Sequence, residues 1–195
     1  MGRYATRVIT KDELNKIVKA INDGFIINQS REVKGNKRIA TLLIVQANIG
    51  LRIGDILKLT LNSFEIDAGG YRINIIEEKT NKKRIFKVQD EIYNFIKEYA
   101  ADNNIPDNRL LFPITVRNVQ KYIKLACEYL GLQGVSTHSF RKYYATNIYN
   151  NSNHDVRLVQ QALQHTSLTN TQKYIGISNE KYNKVLSSTL TLISL

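Results

Sequence analysis

The spacing of apolar residues predicts helices over most of the chain. A first helix begins at Thr10, because Thr10 and Glu13 have the spacing of a capping box and apolar residues follow at helical intervals. The polar and basic residues 25–37 are predicted to form a loop or a short extension. A more apolar helix is predicted over residues 37–48, and Gly50 ends it.

After residue 69 the apolar positions change from a helical period to that of a strand. Apolar and polar residues alternate over 71–75, a charged stretch follows at 77–83, and apolar residues resume at 85–88. This pattern predicts a β-hairpin with a basic tip. Further helices are predicted near residues 90–102, 115–130, 138–149, 155–163, 168–174 and 179–188. The fold class is therefore mainly α with a small antiparallel sheet, an α+β fold.

Composition and charge narrow the possible partners. A chain of 195 residues can bury one good core, so a single domain over residues 1–195 is the expectation. Its net charge of +11 indicates a polyanionic partner, and nucleic acid is the usual one. No segment resembles a membrane-surface or membrane-spanning helix, so no membrane partner is expected. Cys127 is the one cysteine and has the spacing of a buried helical residue, which favours core packing and a reducing cytoplasm.

Two pairs of residues have the spacing of neighbours on a helix. Arg52 and Asp55 lie three positions apart, and such an arginine can bind a phosphate while the acid fixes its guanidinium. Taken alone, the pair is more typical of an exposed ion pair. His138 and Arg141 are also three apart, on a helix that we expect Thr137 to begin. Both could donate hydrogen bonds to one cluster of oxygens, or they could belong to a solvated basic face.

A histidine and a tyrosine follow at a short interval near the end of the chain. His165 ends an amphipathic helix, where a lone histidine is more often a C-cap, and Tyr174 follows nine positions later. The chain has eleven tyrosines; we select Tyr174 because it follows His165 across a loop able to move it, and Tyr182 is its main rival. Together the separated motifs supply the groups that could hold one phosphodiester and attack it with tyrosine, which predicts DNA strand exchange.

In this order, the motifs resemble the catalytic domain of the tyrosine recombinases, the phage integrase family. Residues 50–59 match the first arginine box of the family, with Asp55 where many members have glutamate. Residues 138–141, which read HSFR, match the second box. Residues 163–165 stand for the common Leu-Gly-His, with Gln164 in place of the usual glycine. The resemblance covers about residues 8–180 and implies a catalytic core like that of the recombinases and type IB topoisomerases.

The resemblance also implies roles for individual residues in phosphodiester transfer. Arg52, Arg141 and His165 would bind the non-bridging oxygens of the scissile phosphate. No metal, nucleotide or other cofactor is expected, because guanidiniums supply the positive charge that a metal ion supplies elsewhere. The sequence has neither a P-loop nor an acidic cluster at metal-ligand spacing.

The nucleophile and its proton transfers follow from the same resemblance. Tyr174 would attack phosphorus and give a 3′-phosphotyrosine and a free 5′-hydroxyl. His138 would accept the phenol proton, since a phenol with a pKa near 10 is a poor nucleophile at neutral pH. The family's catalytic lysine aligns with Lys79, with Lys82 and Lys83 as alternatives, and would protonate the leaving oxygen.

Double-stranded DNA is the expected substrate, bound largely through its phosphates and therefore weakly at high salt. Phosphate contacts are expected from Arg31, Lys34, Lys37, Arg38, Lys82, Lys83, Arg84, Lys121 and Lys124. Family members work as a tetramer on two duplexes, so we expect other copies of the chain as partners. An accessory DNA-bending or directionality protein is a further expected partner.

The organisation of the chain suggests one catalytic domain with a separate terminal segment. Residues 179–195 are expected to form a helix and an apolar tail that docks either on a neighbouring subunit or on its own core. Relatives of full length carry an upstream helical domain that closes a clamp around DNA, whereas this sequence starts almost at the catalytic domain. An excised domain and a natural short form both fit that observation.

Three other functions are compatible with parts of the pattern. A type IB topoisomerase-like relaxing enzyme shares the chemistry and needs no synapsis. A DNA-binding regulator that does not cut is a second alternative, although every catalytic position is filled. A plain helix-turn-helix factor is the third, and it would make the hairpin and the histidine–tyrosine spacing accidental. Substituting Tyr174 by phenylalanine separates these classes, because a regulator would keep its function.

Overall fold

The computed structural model describes residues 6–165 and 167–175. Their contacts divide the chain into two compact units, Met1–Tyr144 and Ala145–Leu195. The predicted mainly helical fold with a small antiparallel sheet is confirmed. The single-domain organisation stays a prediction, and the helix and tail predicted over residues 179–195 lie outside the described residues.

The first unit alternates helices with two small sheets. Its elements are α1 (Lys11–Asp23), β1 (Gly24–Ile27), β2 (Arg31–Lys34), α2 (Lys37–Ile49), α3 (Ile53–Ile56), a 3₁₀ turn (Leu61–Ser63), β3 (Phe64–Asp67), β4 (Gly70–Ile76), β5 (Lys83–Val88), α4 (Asp90–Asp102) and α5 (Val116–Leu130). Helix α6 (Thr137–Asn151) begins in this unit and ends in the second, which also contains α7 (Val156–Leu163) and α8 (Leu168–Ile175).

The predicted start of α1 is confirmed atom by atom. The backbone N–H of Glu13 donates to Thr10 Oγ1 at 3.1 Å, and the backbone N–H of Thr10 donates to Glu13 Oε2 at 2.9 Å. Arg7 also donates to both oxygens of Glu13, and these hydrogen bonds lower the pKa of Glu13 to about 2. The capping carboxylate is therefore ionised at neutral pH and fixes the entry of the chain into α1.

The expectation of a loop over residues 25–37 is wrong, because β1 and β2 form an antiparallel hairpin there. Phe25 and Val33 face each other across the two strands, and both side chains are buried. The ring of Phe25 stacks on Tyr129 of α5 with centroids 4.9 Å apart. Each strand has four residues, so its alternation is too short to stand out within a polar stretch.

The predicted β-hairpin is confirmed as β4 and β5, and β3 adds a third antiparallel strand that the sequence pattern did not predict. Strand β3 is again four residues long and follows directly on a turn. The tip is closed by backbone hydrogen bonds: the N–H of Glu77 donates to the Lys82 oxygen at 3.0 Å, and the N–H of Asn81 donates to the Glu77 oxygen at 2.9 Å. The tip residues are therefore held in a defined turn.

The core of the first unit is built around α2, which is buried over most of its length and ends at Gly50 in the left-handed conformation. Strand β4 contributes Ile73 and α5 contributes Cys127 to this core. Burial raises the pKa of the Cys127 thiol to about 11, so the thiol is protonated at neutral pH. Its predicted packing role is confirmed.

The second unit contains two short helices that pack on each other, α7 and α8. Asp155 caps α7 by accepting the backbone N–H of Arg157 at 2.7 Å. The helix ends at Gln164, whose φ of 51° lies in the left-handed region that favours glycine. Among the helices of residues 6–165 and 167–175, none combines the length and apolar composition that a bilayer crossing requires.

Candidate active site

Arg52 lies three positions after Ile49, the last residue of α2, and is the N-cap of α3, with an extended backbone. Its guanidinium Nη1 donates to Glu77 Oε2 at 2.5 Å. The prediction that Asp55 fixes this guanidinium is wrong: Asp55 Oδ1 accepts the backbone N–H of Glu78 at 2.8 Å. Because Arg52 precedes the helical turn and has an extended backbone, its side chain does not follow the spacing of a helix face. Asp55 instead anchors the β4–β5 hairpin tip beside Arg52.

Arg141 connects the two arginine motifs. Its side chain is 2% exposed, and its Nη1 donates to the backbone oxygen of Gly50 at 2.7 Å. Gly50 has a φ of 64°, and a Cβ built on it would overlap the ring of Tyr144. The close packing of Gly50 and Tyr144 therefore fixes the carbonyl that Arg141 contacts, two positions before Arg52.

His138 lies one turn before Arg141 on α6, which begins at Thr137 as predicted. Its backbone N–H donates to the hydroxyl of Ser136 at 3.3 Å, so Ser136 rather than Thr137 supplies the cap. His138 is an exposed residue whose ring is partly desolvated. This desolvation, followed by the positive charges of Arg141, Lys79, Lys142 and Arg52, lowers the pKa of His138. The imidazole is thus neutral at neutral pH and able to accept a proton.

The hairpin-tip lysines differ in their relation to this cluster. All three are exposed, Lys79 within the tip and Lys82 and Lys83 where β5 begins. The charge of Lys79 is among the causes that lower the pKa of His138. The assignment of Lys79 as the general acid, with Lys82 and Lys83 as alternatives, stays a prediction.

His165 and Tyr174 meet within the second unit. Their rings are in edge contact, with centroids 5.2 Å apart and planes at 85°. His165 Nδ1 lies 3.2 Å from Thr171 Oγ1, and the Thr171 hydroxyl donates to the Ser167 backbone oxygen at 3.3 Å. Because the hydroxyl proton is used by Ser167, Nδ1 is the donor to Thr171, and the ring is oriented by that bond. The structure thus brings the predicted residues His165 and Tyr174 together, and their roles stay predictions.

Two residues of this arrangement were missed from the sequence. The sequence placed Glu77 in the charged stretch at the hairpin tip, yet its side chain is fully buried. Glu77 lies directly after β4 and continues the alternation of Ile73 and Ile75 in that strand. Its charge made this pattern easy to overlook. Thr171 is also fully buried, and it lies three positions before Tyr174 on α8. Helical spacing to the tyrosine was the available signal.

The basic residues proposed for DNA contact are exposed, with one correction. Arg84 is 2% exposed and its Nη1 donates to Glu77 Oε1 at 2.9 Å, so its predicted contact with DNA is wrong. As on Glu77, the alternation of the strand places this charged residue on the buried face of β5. The other residues predicted to contact DNA are all exposed: Arg31, Lys34, Lys37, Arg38, Lys82, Lys83, Lys121 and Lys124. Their contact with DNA stays a prediction.

Sequence and structure comparisons agree on one family. The pattern of the Phage integrase family matches residues 7–181. The probable integrase/recombinase YoeC of Bacillus subtilis (strain 168) is 30% identical over 152 residues, which cover 74% of this chain and 81% of that protein. Tyrosine recombinase XerC of Lactobacillus leichmannii is 26% identical over 181 residues, which cover 86% of this chain and 57% of that protein. The chain thus spans little more than half the length of this second relative.

Two solved structures illustrate the shared fold. The XerH recombinase bound to palindromic difH substrate, a post-cleavage complex, has a TM-score of 0.70 at 24% identity, over 96% of this chain and 54% of that one. The catalytic domain of bacteriophage HP1 integrase has a TM-score of 0.63 at 13% identity, over 94% and 95% of the two chains. The fold, the ordered motifs and the sequence relatives together show that the chain belongs to the phage integrase family of tyrosine recombinases.

Proposed function

We propose that this chain is a site-specific DNA recombinase that cleaves and rejoins DNA strands through a 3′-phosphotyrosine. The observation that carries the proposal is the cationic cluster of the first unit, where Arg141 contacts the Gly50 carbonyl beside Arg52 and both charges act on His138. In phosphoryl transfer, catalysis rests on positioning and on neutralising the charge that develops on the non-bridging oxygens. Two guanidiniums in one cluster meet that requirement.

The proposed steps assign one task to each group. Tyr174 Oη forms a bond to phosphorus as the bond to the 5′-oxygen breaks. A neutral His138 accepts the phenol proton, and Lys79 gives a proton to the leaving 5′-oxygen. His165, oriented through Nδ1, donates from Nε2 to a non-bridging oxygen in its imidazolium form. The phosphotyrosine retains the energy of the broken bond, so a 5′-hydroxyl of another strand reverses the step without nucleotide hydrolysis or a metal.

Double-stranded DNA and other copies of the chain are the proposed partners. XerH has been solved on its difH substrate, and a lambda integrase dimer on a COC′ core site. By analogy, we propose that this chain assembles on DNA and forms a tetramer on two duplexes, with an accessory bending or directionality protein where the site requires one. It would act in the bacterial cytoplasm. The named relatives are recombinases and integrases, which favours this function over DNA relaxation or regulation without cleavage.

Trapping a covalent adduct tests the proposal. The protein is incubated in EDTA with a library of DNA duplexes whose central positions are randomised. Nicks in the strands let the short cleaved end dissociate, which traps the adduct. The reaction is stopped with SDS, and the DNA joined to protein is recovered and sequenced. We expect wild type to enrich a defined duplex and Tyr174→Phe to recover none, while Tyr129→Phe, at a tyrosine that is 49% exposed, behaves as wild type.

Each other outcome has a clear meaning. An adduct that survives in Tyr174→Phe would contradict the assignment of the nucleophile and direct attention to Tyr182. An adduct that requires added Mg²⁺ would contradict the metal-free mechanism. Failure of wild type to recover any duplex would contradict the proposed cleavage by this chain.

A further inference from the structure

Glu77 lies at the centre of a buried ion triad in the first unit. Its Oε2 accepts Arg52 Nη1 at 2.5 Å, and its Oε1 accepts Arg84 Nη1 at 2.9 Å. The hydroxyl of Thr80 also donates to Oε2, at 3.0 Å. The Glu77 side chain is fully buried, whereas that of Arg52 is 21% exposed. One face of the triad therefore lies in the interior, and its outer member reaches the surface.

Arg84 has a structural setting that keeps the triad charged. Its guanidinium lies over the ring of Phe86, 4.6 Å from the centroid, and its side chain is 2% exposed. Burial acts to raise the pKa of Glu77, but the hydrogen bonds from Arg52 and Arg84 offset this and leave the pKa below its ordinary value. Glu77 is thus a carboxylate at neutral pH, held between two cations.

The neighbouring residue provides a contrast in the same hairpin tip. Glu78 pairs with Lys58 at 3.4 Å, but these side chains are 57% and 61% exposed. Such a solvated pair fixes neither partner strongly. The Arg52–Glu77 bond is shorter and borders the interior, so it restricts the orientation of the guanidinium far more.

We propose that Glu77 is a positioning residue, which holds the Arg52 guanidinium in its phosphate-binding orientation and is itself held by Arg84. This inference rests on the proposed recombinase function and gives a role to two residues outside the motifs that carry the resemblance to the family. Because Nη1 of Arg52 faces Glu77, the direction of the other guanidinium N–H groups is set before DNA arrives.

The triad also links Arg52 to the loop that carries Lys79. Glu77 supplies both the carboxylate for Arg52 and the backbone groups that close the turn around Lys79. Asp55 adds a second attachment by accepting the N–H of Glu78. The orientation of the phosphate-binding arginine and the position of the proposed general acid are therefore coupled through one residue.

Single-turnover adduct formation on the duplex recovered with wild type tests the inference. We expect Glu77→Gln to slow adduct formation at least about tenfold, with DNA affinity unchanged, because removal of a transition-state donor costs about 10²–10³ in rate and a misdirected donor keeps part of that effect. Glu78→Gln is the matched control, one position away and exposed, and should react at the wild-type rate. A Glu77→Gln rate within about threefold of wild type would overturn the inference.

A double-mutant cycle shows whether Glu77 acts through Arg52. In an Arg52→Ala background, Glu77→Gln should cause little further loss, since its target is already gone. A further loss equal to that seen in the wild-type background would overturn the proposed connection, because it would show that Glu77 acts independently of Arg52.

A variant without the buried charge separates positioning from folding. Glu77→Gln combined with Arg84→Met removes the counter-charge together with the cation it balances, and should fold, as checked by circular dichroism and thermal unfolding. Slow adduct formation by this folded variant supports positioning; wild-type rates would mean that Glu77 only neutralises Arg84. If the wild-type protein formed no adduct, both the proposed function and this inference would be contradicted. If wild type and Glu77→Gln formed adduct at the same rate, only the inference would be contradicted.

Discussion

The arginines of the first unit are held by contacts with residues far away in the sequence, whereas the histidine–tyrosine pair of the second unit is held by contacts with near neighbours in the sequence. Arg141 contacts a carbonyl 91 positions away in the sequence, and Arg52 a carboxylate 25 positions away. His165 is oriented by Thr171, only six positions on. The arrangement of the two arginines therefore depends on how distant segments of the first unit pack, whereas the histidine–tyrosine pair is built from one helix, one turn and the next helix.

This difference has a chemical rationale. Guanidiniums that stabilise a transition state act best when their orientation is set in advance by buried partners. In the proposed mechanism, Tyr174 attacks DNA and then carries it as an ester. The local packing of α7 and α8 keeps His165 in contact with this tyrosine. The difference also predicts which substitutions have large effects.

Arg141→Lys should have the largest effect on the chemistry. A lysine cannot reproduce the planar set of donors that contacts the Gly50 oxygen and, in the proposed mechanism, would also bind a phosphate. Adduct formation should therefore fall roughly 10²–10³-fold. Arg117→Lys, on the exposed surface of α5, is the control and should react normally. Single-turnover rates with a thermal-unfolding check make the comparison. A rate within about threefold of wild type for Arg141→Lys would contradict the role of the buried arginine.

Gly50→Ala should have the largest effect on stability. The substitution adds a Cβ that overlaps Tyr144 in a left-handed conformation, and we expect unfolding to become easier by about 2–4 kcal/mol. Gly131→Ala is a close control, since Gly131 has a φ of 67° but no atom within 4 Å of the added Cβ; it should cost about 1–2 kcal/mol. Urea denaturation measures both. Equal losses would show that the Gly50–Tyr144 packing adds nothing to stability.

Thr171→Val should have the smallest effect of this series and tests the local pair. The change removes the hydroxyl that orients His165 and keeps the side-chain volume, so adduct formation should fall about tenfold or less. Thr169→Val, at an exposed position of α8, serves as the control. A loss of rate as large as that of Arg141→Lys would contradict the expected difference between residues held by long-range contacts and residues held by local contacts.

The same distinction explains what the sequence could predict. The capping box at Thr10, the helix end at Gly50 and the edge contact of His165 with Tyr174 depend on neighbours in the chain, and their patterns are legible in one sequence. The pairing of Arg52 with Glu77 depends on where the hairpin tip lies against α3, which periodicity does not encode. Helical spacing alone therefore predicted a contact between Arg52 and Asp55, which was wrong.

Charged residues on buried strand positions were the second source of error. Glu77, directly after β4, and Arg84 on β5 continue the inward-facing alternation of the two strands. Their charges instead suggested that Glu77 belongs to a charged tip and that Arg84 contacts DNA. Each is tolerated in the interior because the other is there. A pair seven positions apart, with Glu77 directly after β4 and Arg84 on β5, gives no helical or single-strand pattern. The short strands β1 to β3 were missed or only partly foreseen because four residues carry too little alternation.

The most direct test of the whole account is to identify the residue and the DNA end that become joined. The adduct formed on the recovered duplex is digested with protease and nuclease, and the nucleotide-bearing peptide is sequenced by mass spectrometry. The account predicts a single modified residue, Tyr174, linked to a 3′-phosphate, with a free 5′-hydroxyl on the other DNA product. A modified peptide that carries another residue, or Tyr174 linked to a 5′-phosphate, would contradict it.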